Sequence, residues 1–154
     1  MVRAYVETIL GKFGTQILYF YEENSFVINI LVLTYGFIMY ASWMNIVRMY
    51  RFLVIEIAKQ IHLDENLDRK STVKSAMDNV EFPWQAAVNS SNFPLIGRIS
   101  GLFPKRKTVE NIQYYFYEKD LIEKAIAVLK GGNIYKMTPN FKNIVKKEIE
   151  EAKQ

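Results

Sequence analysis

The chain of 154 residues contains no cysteine and a single histidine, His62. Disulfide bonds and thiolate metal sites are therefore excluded, and a zinc site built on one imidazole is not expected. The sequence also lacks a Gly-x-Gly-x-x-Gly or Walker pattern, a nucleophile elbow and a metal-ligand spacing. We therefore expect no metal site, no cofactor and no catalytic site, although a site assembled from distant residues would leave no such pattern.

Formal charge is absent from Asn24 to Val47, which is a run of 24 residues. A helix rises about 1.5 Å per residue, so this run would measure about 36 Å and would cross a hydrocarbon core of about 30 Å. A soluble fold of this size would have to cover such a helix on all sides, and the chain offers no comparable second helix. The sequence therefore predicts one transmembrane helix over residues 24–47.

Charged residues are distributed unequally about this run. Residues 1–23 carry a net charge of −1 and residues 24–154 a net charge of +5. Glu22 and Glu23 precede the run, whereas Arg48 and Arg51 follow it. Because basic flanks remain on the cytoplasmic side, we expect the N-terminus outside and the C-terminal domain in the cytosol, or on the matrix side of an organelle.

Four segments follow from this pattern, and the predicted fold class is mainly α. Residues 1–23 show helical spacing weakened by Gly11 and Gly14, so they lie in the membrane interface, pack on a partner or extend the transmembrane helix. Apolar residues continue after the run without glycine or proline, so residues 48–64 are predicted to form a juxtamembrane helix that packs on the soluble domain or on a partner. Residues 65–154 predict a small, helical, loop-rich soluble domain.

Capping residues and turn formers divide this soluble domain. Thr108 has the sequence context of a helix N-cap, Asp120–Glu123 resembles a capping box, and Thr138-Pro139 is typical of a helix start. The predicted elements are a short helix at 72–80, a folded turn-rich segment at 81–107, helices at 109–118 and 121–130, an extended segment at 133–137 and a helix at 139–152.

Small and polar side chains recur at helical spacing within the predicted span. Such residues allow two helices to approach closely and to form hydrogen bonds in lipid. We therefore predict a docking surface for a partner helix; the alternative is that Thr34 bonds back to its own helix and Asn45 reaches the interface. The predicted docking residues are Asn29, Thr34, Gly36, Ala41 and Asn45.

Aromatic and basic residues flank the span, as is typical of membrane interfaces. The predicted interface anchors are Tyr19, Tyr21, Trp43, Arg48, Tyr50 and Arg51. A separate basic patch comprises Arg98, Lys105, Arg106 and Lys107. It is either a solvated loop or a contact for phosphate, anionic lipid headgroups or RNA.

These features favour a non-catalytic accessory subunit of a multi-subunit membrane complex, with other membrane subunits and the lipid bilayer as partners. The alternative is a membrane-tethered binding module with a winged-helix-like domain for nucleic acid or anionic lipid. Nucleic acid is not the expected partner, because no predicted helix presents a basic face and aromatic residues do not alternate with bases.

Overall fold

The computed structural model describes residues 2–63, 73, 76, 79–98 and 101–141, and for residues 2–10, 12 and 63 it describes the backbone alone. Contacts within the chain divide it into two compact units, Met1–Ile38 and Met39–Gln154. The described part is mainly helical and contains one long apolar helix, in agreement with the predicted class.

Helix α1 comprises Val2–Leu63 and departs from helical geometry at Gly11, where φ is 63° and ψ is −173°. A positive φ is accessible to glycine without steric cost, so this residue can interrupt the helix. Gly14 and Gly36, in contrast, are helical. The helix thus begins well before Asn24 and continues to Leu63, as expected for the predicted juxtamembrane segment.

In the first unit, the large apolar side chains of α1 are exposed. Phe26 exposes 76% of its surface and Leu33 exposes 73%. Polar side chains of this unit bond locally: the Thr15 hydroxyl donates to the Gly11 carbonyl at 2.8 Å, and the Asn24 amide donates to the Phe20 carbonyl at 2.9 Å. Described contacts within this unit leave most of its apolar surface uncovered.

In the second unit, α1 is the central helix of the hydrophobic core. Its buried side chains recur at helical spacing, and its exposed ones form a separate stripe with Arg48, Lys59 and His62. Such a pattern is that of an amphipathic helix packed on a domain. The buried apolar residues of α1 are Ile46, Val47, Met49, Tyr50, Leu53, Val54, Ile57, Ala58 and Ile61.

The second unit also contains residues 42–47, which the sequence places in the transmembrane helix. Ser42 and Asn45 expose 0% and 4% of their surfaces. Residues 48–64 were predicted to form a juxtamembrane helix that packs on the soluble domain or on a partner, and the described part of this segment lies within the core of the second unit. The short elements that follow it in the chain cover its apolar face.

These elements are short and mostly helical, and residues 73, 76 and 79 are helical as predicted. The strands pair antiparallel, with Leu95 opposite Arg106 and Ile96 opposite Lys105. The elements are α2 (Trp84–Asn89), β1 (Leu95–Ile96), β2 (Lys105–Arg106), α3 (Val109–Tyr115), α4 (Glu118–Leu129) and a 3-10 helix (Ile134–Lys136). Helix α2 packs against α3.

The helix starts predicted from capping residues are partly correct. The Thr108 side chain accepts a hydrogen bond from the Asn111 backbone N–H at 3.3 Å, which confirms the predicted N-cap. The predicted capping box at Asp120 is wrong, because α4 begins earlier, at Glu118, and Tyr117 at its N-cap makes no side-chain cap. The carboxylate of Asp120 instead accepts a hydrogen bond from Tyr50.

The segment after α4 also differs from the prediction. Residues 134–136 form a 3-10 helix instead of a strand, because the Asn133 side chain accepts a hydrogen bond from the Tyr135 backbone N–H at 2.9 Å. Residues 138–140 are not helical, and Phe141 forms an isolated antiparallel bridge with Phe116. The remainder of the predicted helix at 139–152 lies outside the described residues.

Candidate functional site

The first candidate surface is the exposed apolar part of α1. Within Phe13–His62, an 18-residue window has a mean hydropathy of 1.7, and 6% of that window is buried. By length and composition this helix could cross a membrane. A core helix of a soluble protein passes the same test, but it would be mostly buried, whereas this window is exposed.

Three of the predicted docking residues lie on this exposed part. Asn29 accepts a hydrogen bond from the Tyr21 hydroxyl at 3.2 Å. The Thr34 hydroxyl has no hydrogen bond to any described residue, so the alternative in which Thr34 bonds back to its own helix is not seen. A side chain added at Gly36 would meet nothing within 4 Å. These positions are open to a neighbour of any kind.

Asn45, another predicted docking residue, contacts its own chain instead. Its amide nitrogen donates to the carbonyls of Phe93 and Leu95 at 2.9 and 2.7 Å, and its amide oxygen accepts from the Ser91 hydroxyl. An asparagine side chain has two donor hydrogens and one acceptor oxygen, so every group of it is used. We name these four residues the Asn45 clamp, and Asn45 is not available to a partner helix.

Strands β1 and β2 form a hairpin, and two small residues, Ser42 and Gly97, allow this hairpin to pack close to α1 beside the Asn45 clamp. The Gly97 backbone N–H donates to the Ser42 carbonyl at 3.3 Å. A Cβ atom added at Gly97 would lie 3.4 Å from Ser42 Cβ and 3.5 Å from Pro104 Cα. The small residues at this end of the predicted span therefore allow close packing within the chain.

A pocket of about 320 Å³ opens next to the Asn45 clamp. Ala41, Met44 and Phe93 supply apolar walls, and Arg48 and Asn92 are among its polar residues. Arg48 is exposed and makes no ion pair with any residue in the described part of the chain. A guanidinium group next to apolar side chains suits an anionic group attached to an apolar one.

The predicted interface anchors lie in different environments. Tyr19 and Tyr21 are exposed on α1, whereas Trp43 is half-buried against the ring of Phe141 at a centroid distance of 5.6 Å. The Arg51 guanidinium donates to the Tyr135 carbonyl at 2.9 Å and lies over the Tyr135 ring. Trp43 and Arg51 therefore have contacts within the domain.

Tyr50 does not reach an interface, because it is fully buried. Its hydroxyl donates to Asp120 at 2.8 Å, and its ring packs on that of Phe116 at a centroid distance of 5.3 Å. Burial, together with the neighbouring Asp120 carboxylate, raises the pKa of Tyr50 far above its ordinary value. This pair links α1 to the first turn of α4 and stabilises the core.

The residues of the predicted basic patch contact different parts of the domain. The Arg98 guanidinium lies 5.0 Å from the Tyr115 ring centroid and 4.9 Å from that of Phe141. Burial lowers the pKa of Arg98 from its ordinary value, and neighbouring tyrosines, Tyr115 first, oppose this shift. Arg98 therefore contributes mainly to packing of the domain.

The other basic residues of the patch also differ in their contacts. The Lys105 ammonium lies 4.3 Å from the Tyr114 ring centroid, and the Lys107 ammonium donates to the Ser91 carbonyl. Arg106 is exposed on β2. Arg98 and Lys105 both lie near the Tyr115 ring, and Lys105 and Arg106 are the exposed cations of the group.

Sequence reasoning did not identify the Asn45 clamp or the Tyr50–Asp120 pair. Both join residues more than 45 positions apart, and no local pattern signals such a pairing. Within the described residues, no group of three or more His, Asp or Glu side chains could hold a metal ion. Comparison of the chain with protein-family models, curated proteins and solved structures finds no match.

Proposed function

We propose that the chain is a single-span membrane protein whose second unit lies in the cytosol, or on the matrix side of an organelle. One observation carries this proposal: most large apolar side chains of α1 before Ser42 are exposed, whereas most of those from Ser42 onward are buried, with Met44 and Ile55 as the exposed exceptions. Uncovered apolar surface on this scale in water would be strongly unfavourable, and a bilayer removes that cost.

The length of the uncharged, exposed stretch agrees with a membrane span. Residues 24–41 contain 18 residues, which corresponds to about 27 Å of helix against a hydrocarbon core of about 30 Å. Aromatic residues at Tyr19, Phe20 and Tyr21 precede this stretch, and Trp43 and Arg48 follow it. The proposed span is therefore shorter at its C-terminal end than the sequence pattern alone predicts.

The role that these features support best is an accessory, non-catalytic subunit of a larger membrane complex. Asn29, Thr34 and Gly36 are exposed on the proposed span, where an anchor in lipid alone would need only aliphatic side chains. Asn29 and Gly36 are seven residues apart and share one face of the helix, so they define the partner-helix surface that we propose.

Absence of cysteine makes the topology directly testable. Single cysteines at residue 16, at Leu33 and at Arg106 can be labelled in sealed vesicles or in spheroplasts with a membrane-impermeant maleimide. We expect residue 16 to react from outside, Arg106 only after lysis, and Leu33 not at all until detergent is added. Extraction of the protein from membranes by alkaline carbonate would contradict the proposal.

The subunit role needs a separate experiment on the exposed face. Gly36→Leu fills the open position on the proposed docking face, whereas Ile28→Phe adds bulk about 80° away around the helix. We expect Gly36→Leu to reduce recovery of co-purifying membrane proteins after mild detergent extraction by about tenfold, which corresponds to a loss near 1.4 kcal/mol. Equal recovery with both variants would contradict docking through this face.

The alternative of a winged-helix-like nucleic-acid module draws no support from the described residues. A 3-10 helix occupies the position where that fold needs an extended segment, and Arg98 and Lys107 have contacts within the domain. Affinity of the full-length protein for DNA or RNA at low salt would restore this alternative.

A further inference from the structure

The loop between β1 and β2 exposes two large apolar side chains. Leu102 exposes 76% and Phe103 exposes 78% of its surface, and no large apolar side chain in the described part of the chain exposes a larger fraction than Phe103. Adjacent apolar residues with such exposure are unusual on the surface of a folded domain and mark a contact with something apolar.

The base of this loop lies against a defined residue of α1. Gly97 begins the loop and Pro104 ends it, and these two residues approach each other closely. The Gly97 backbone N–H donates to the Ser42 carbonyl at 3.3 Å. The Asn45 clamp holds the first strand on the next turn of the same helix through the Leu95 carbonyl. The hairpin is thus attached to α1 at Ser42–Asn45.

Ser42 is the residue at which the exposed apolar stretch of α1 ends and the core begins. If residues 24–41 occupy the bilayer, Ser42 lies at the boundary between hydrocarbon and headgroups. The base of the loop, at Gly97, therefore lies at the same depth, next to the headgroup region. Tyr135, in contrast, is joined to Arg51, which is nine residues and about 13.5 Å further along the helix.

The charges next to the loop favour a membrane over a protein surface. Lys105 and Arg106 follow Phe103 and Pro104 directly, and both are exposed. Cationic side chains beside exposed apolar ones are the combination by which peripheral segments bind anionic lipid headgroups. Neither an aspartate nor a glutamate occurs between residues 82 and 109.

We propose that Leu102 and Phe103 insert into the interfacial region of the same bilayer that α1 crosses, while Lys105 and Arg106 contact anionic headgroups. This inference rests on the proposed membrane span. The domain would then have two attachments to the membrane, the helix and the hairpin loop, and these would fix the orientation of the domain on the membrane surface.

The test compares two aromatic positions that are equally exposed. Phe103→Cys and Tyr135→Cys, at 78% and 76% exposure, are each labelled with an environment-sensitive fluorophore in the otherwise cysteine-free, full-length protein. The labelled proteins are reconstituted into vesicles of phosphatidylcholine with about 30% phosphatidylglycerol, which supplies anionic headgroups for the basic side chains. A third label at Leu33→Cys reports on the span itself.

We expect a blue-shifted emission at residue 103 and at least threefold stronger quenching there by headgroup-proximal, spin-labelled lipid than at residue 135. Lys105→Gln together with Arg106→Gln should reduce this difference at least twofold in the same vesicles. The emission of Trp43 and Trp84, which both lie in the second unit, verifies that the domain is folded in each variant.

Three results would overturn the inference. Equal quenching at residues 103 and 135, with Leu33 in lipid, would leave the membrane span standing and refute the loop contact. A label at residue 103 that is shielded only when other proteins co-purify would identify a protein partner instead. A water-exposed label at Leu33 would refute both the span and the loop contact.

Discussion

The two parts of helix α1 differ in how far the chain covers their apolar side chains: those of the first unit are mostly exposed, and those of the second unit are mostly buried. Leu33 and Leu53 are the same residue type in the same helix, yet Leu33 exposes 73% of its surface and Leu53 exposes 0%. Both parts are rich in large apolar side chains. Hydropathy alone therefore does not decide whether a stretch of this helix is covered by its own chain.

The arrangement of charges distinguishes the two parts. Between Arg48 and His62 the charged side chains are exposed or half-buried, and the fully buried positions are apolar, as in an amphipathic core helix. Between Asn24 and Ala41 no charge occurs on any face. A helix that is mostly apolar and carries no charge on any face suits a bilayer or a partner.

The most severe way to test this comparison is to place the same charge in both parts. Leu53→Lys buries an unpaired ammonium in the core, at a cost comparable with the whole stability of a small domain, about 5–15 kcal/mol. We expect the second unit to unfold, with loss of the native emission of Trp43 and Trp84 in detergent micelles. Membrane insertion of the first part should persist.

Leu33→Lys is the matched variant and should do the opposite. It adds a charge near the centre of the proposed span, which costs about 2.5–3.5 kcal/mol on insertion and does not touch the core. We expect reduced resistance to carbonate extraction with an unchanged denaturation midpoint of the second unit. Unfolding by both variants to the same extent would show that the two parts share one packed environment.

A second pair of variants compares the two asparagines of α1. Asn45→Leu removes three hydrogen bonds and leaves the Phe93 and Leu95 carbonyls without their partner, so we expect the domain to lose about 2–4 kcal/mol. Asn29→Leu removes only the bond from Tyr21 and should leave the unfolding of the second unit unchanged. Chemical denaturation followed by tryptophan emission measures both.

If Asn45→Leu left the midpoint unchanged, the Asn45 clamp would not hold the hairpin on the helix. The same comparison shows why Asn45 is unsuitable as a probe of partner binding. A loss of complex formation in that variant would follow from a damaged domain, whereas Gly36→Leu leaves the domain untouched.

The sequence predicted those features that depend on local pattern. The long apolar helix, its continuation past Arg48 and the Thr108 cap all follow from composition and short-range spacing, and the structure contains them. The small and polar residues that include Ala41 and Asn45 were predicted to face a partner helix, and Asn45 instead bonds to Ser91, Phe93 and Leu95 of its own chain. Periodicity gives a face of a helix, however, and does not identify what lies against that face, which here is the hairpin.

The remaining features depend on long-range contacts. Strands β1 and β2 contain two residues each, too few for an alternating pattern, and they lie in a segment where Phe-Pro pairs favour turns. Asp120 fitted a local capping box, but its carboxylate bonds to Tyr50, 70 positions away. Leu102 and Phe103 lie in the predicted turn-rich segment at 81–107, and only the fold shows that both side chains are exposed, in a loop whose first residue, Gly97, contacts Ser42.

The smallest expected change in the free energy of unfolding concerns Tyr50, which is buried in the covered part of α1. Tyr50→Phe keeps the ring and removes the hydroxyl that donates to Asp120, so we expect a loss of about 1–2 kcal/mol near neutral pH. Tyr135→Phe, at a position with 76% exposure, should change nothing and serves as the control.

The pH dependence gives this prediction a second readout. Because the pKa of Tyr50 is raised in the folded state, its contribution to stability is fully present below about pH 10, the ordinary tyrosine pKa, and is lost as the pH rises toward the folded value. The wild-type domain should therefore become less stable as the pH increases above about 10, and Tyr50→Phe should reduce that slope. Some slope of the same sign should remain, because burial also raises the pKa of Tyr115. An identical alkaline slope in both proteins would mean that the Tyr50 hydroxyl is accessible to water, and that this part of α1 is less well covered than its packing indicates.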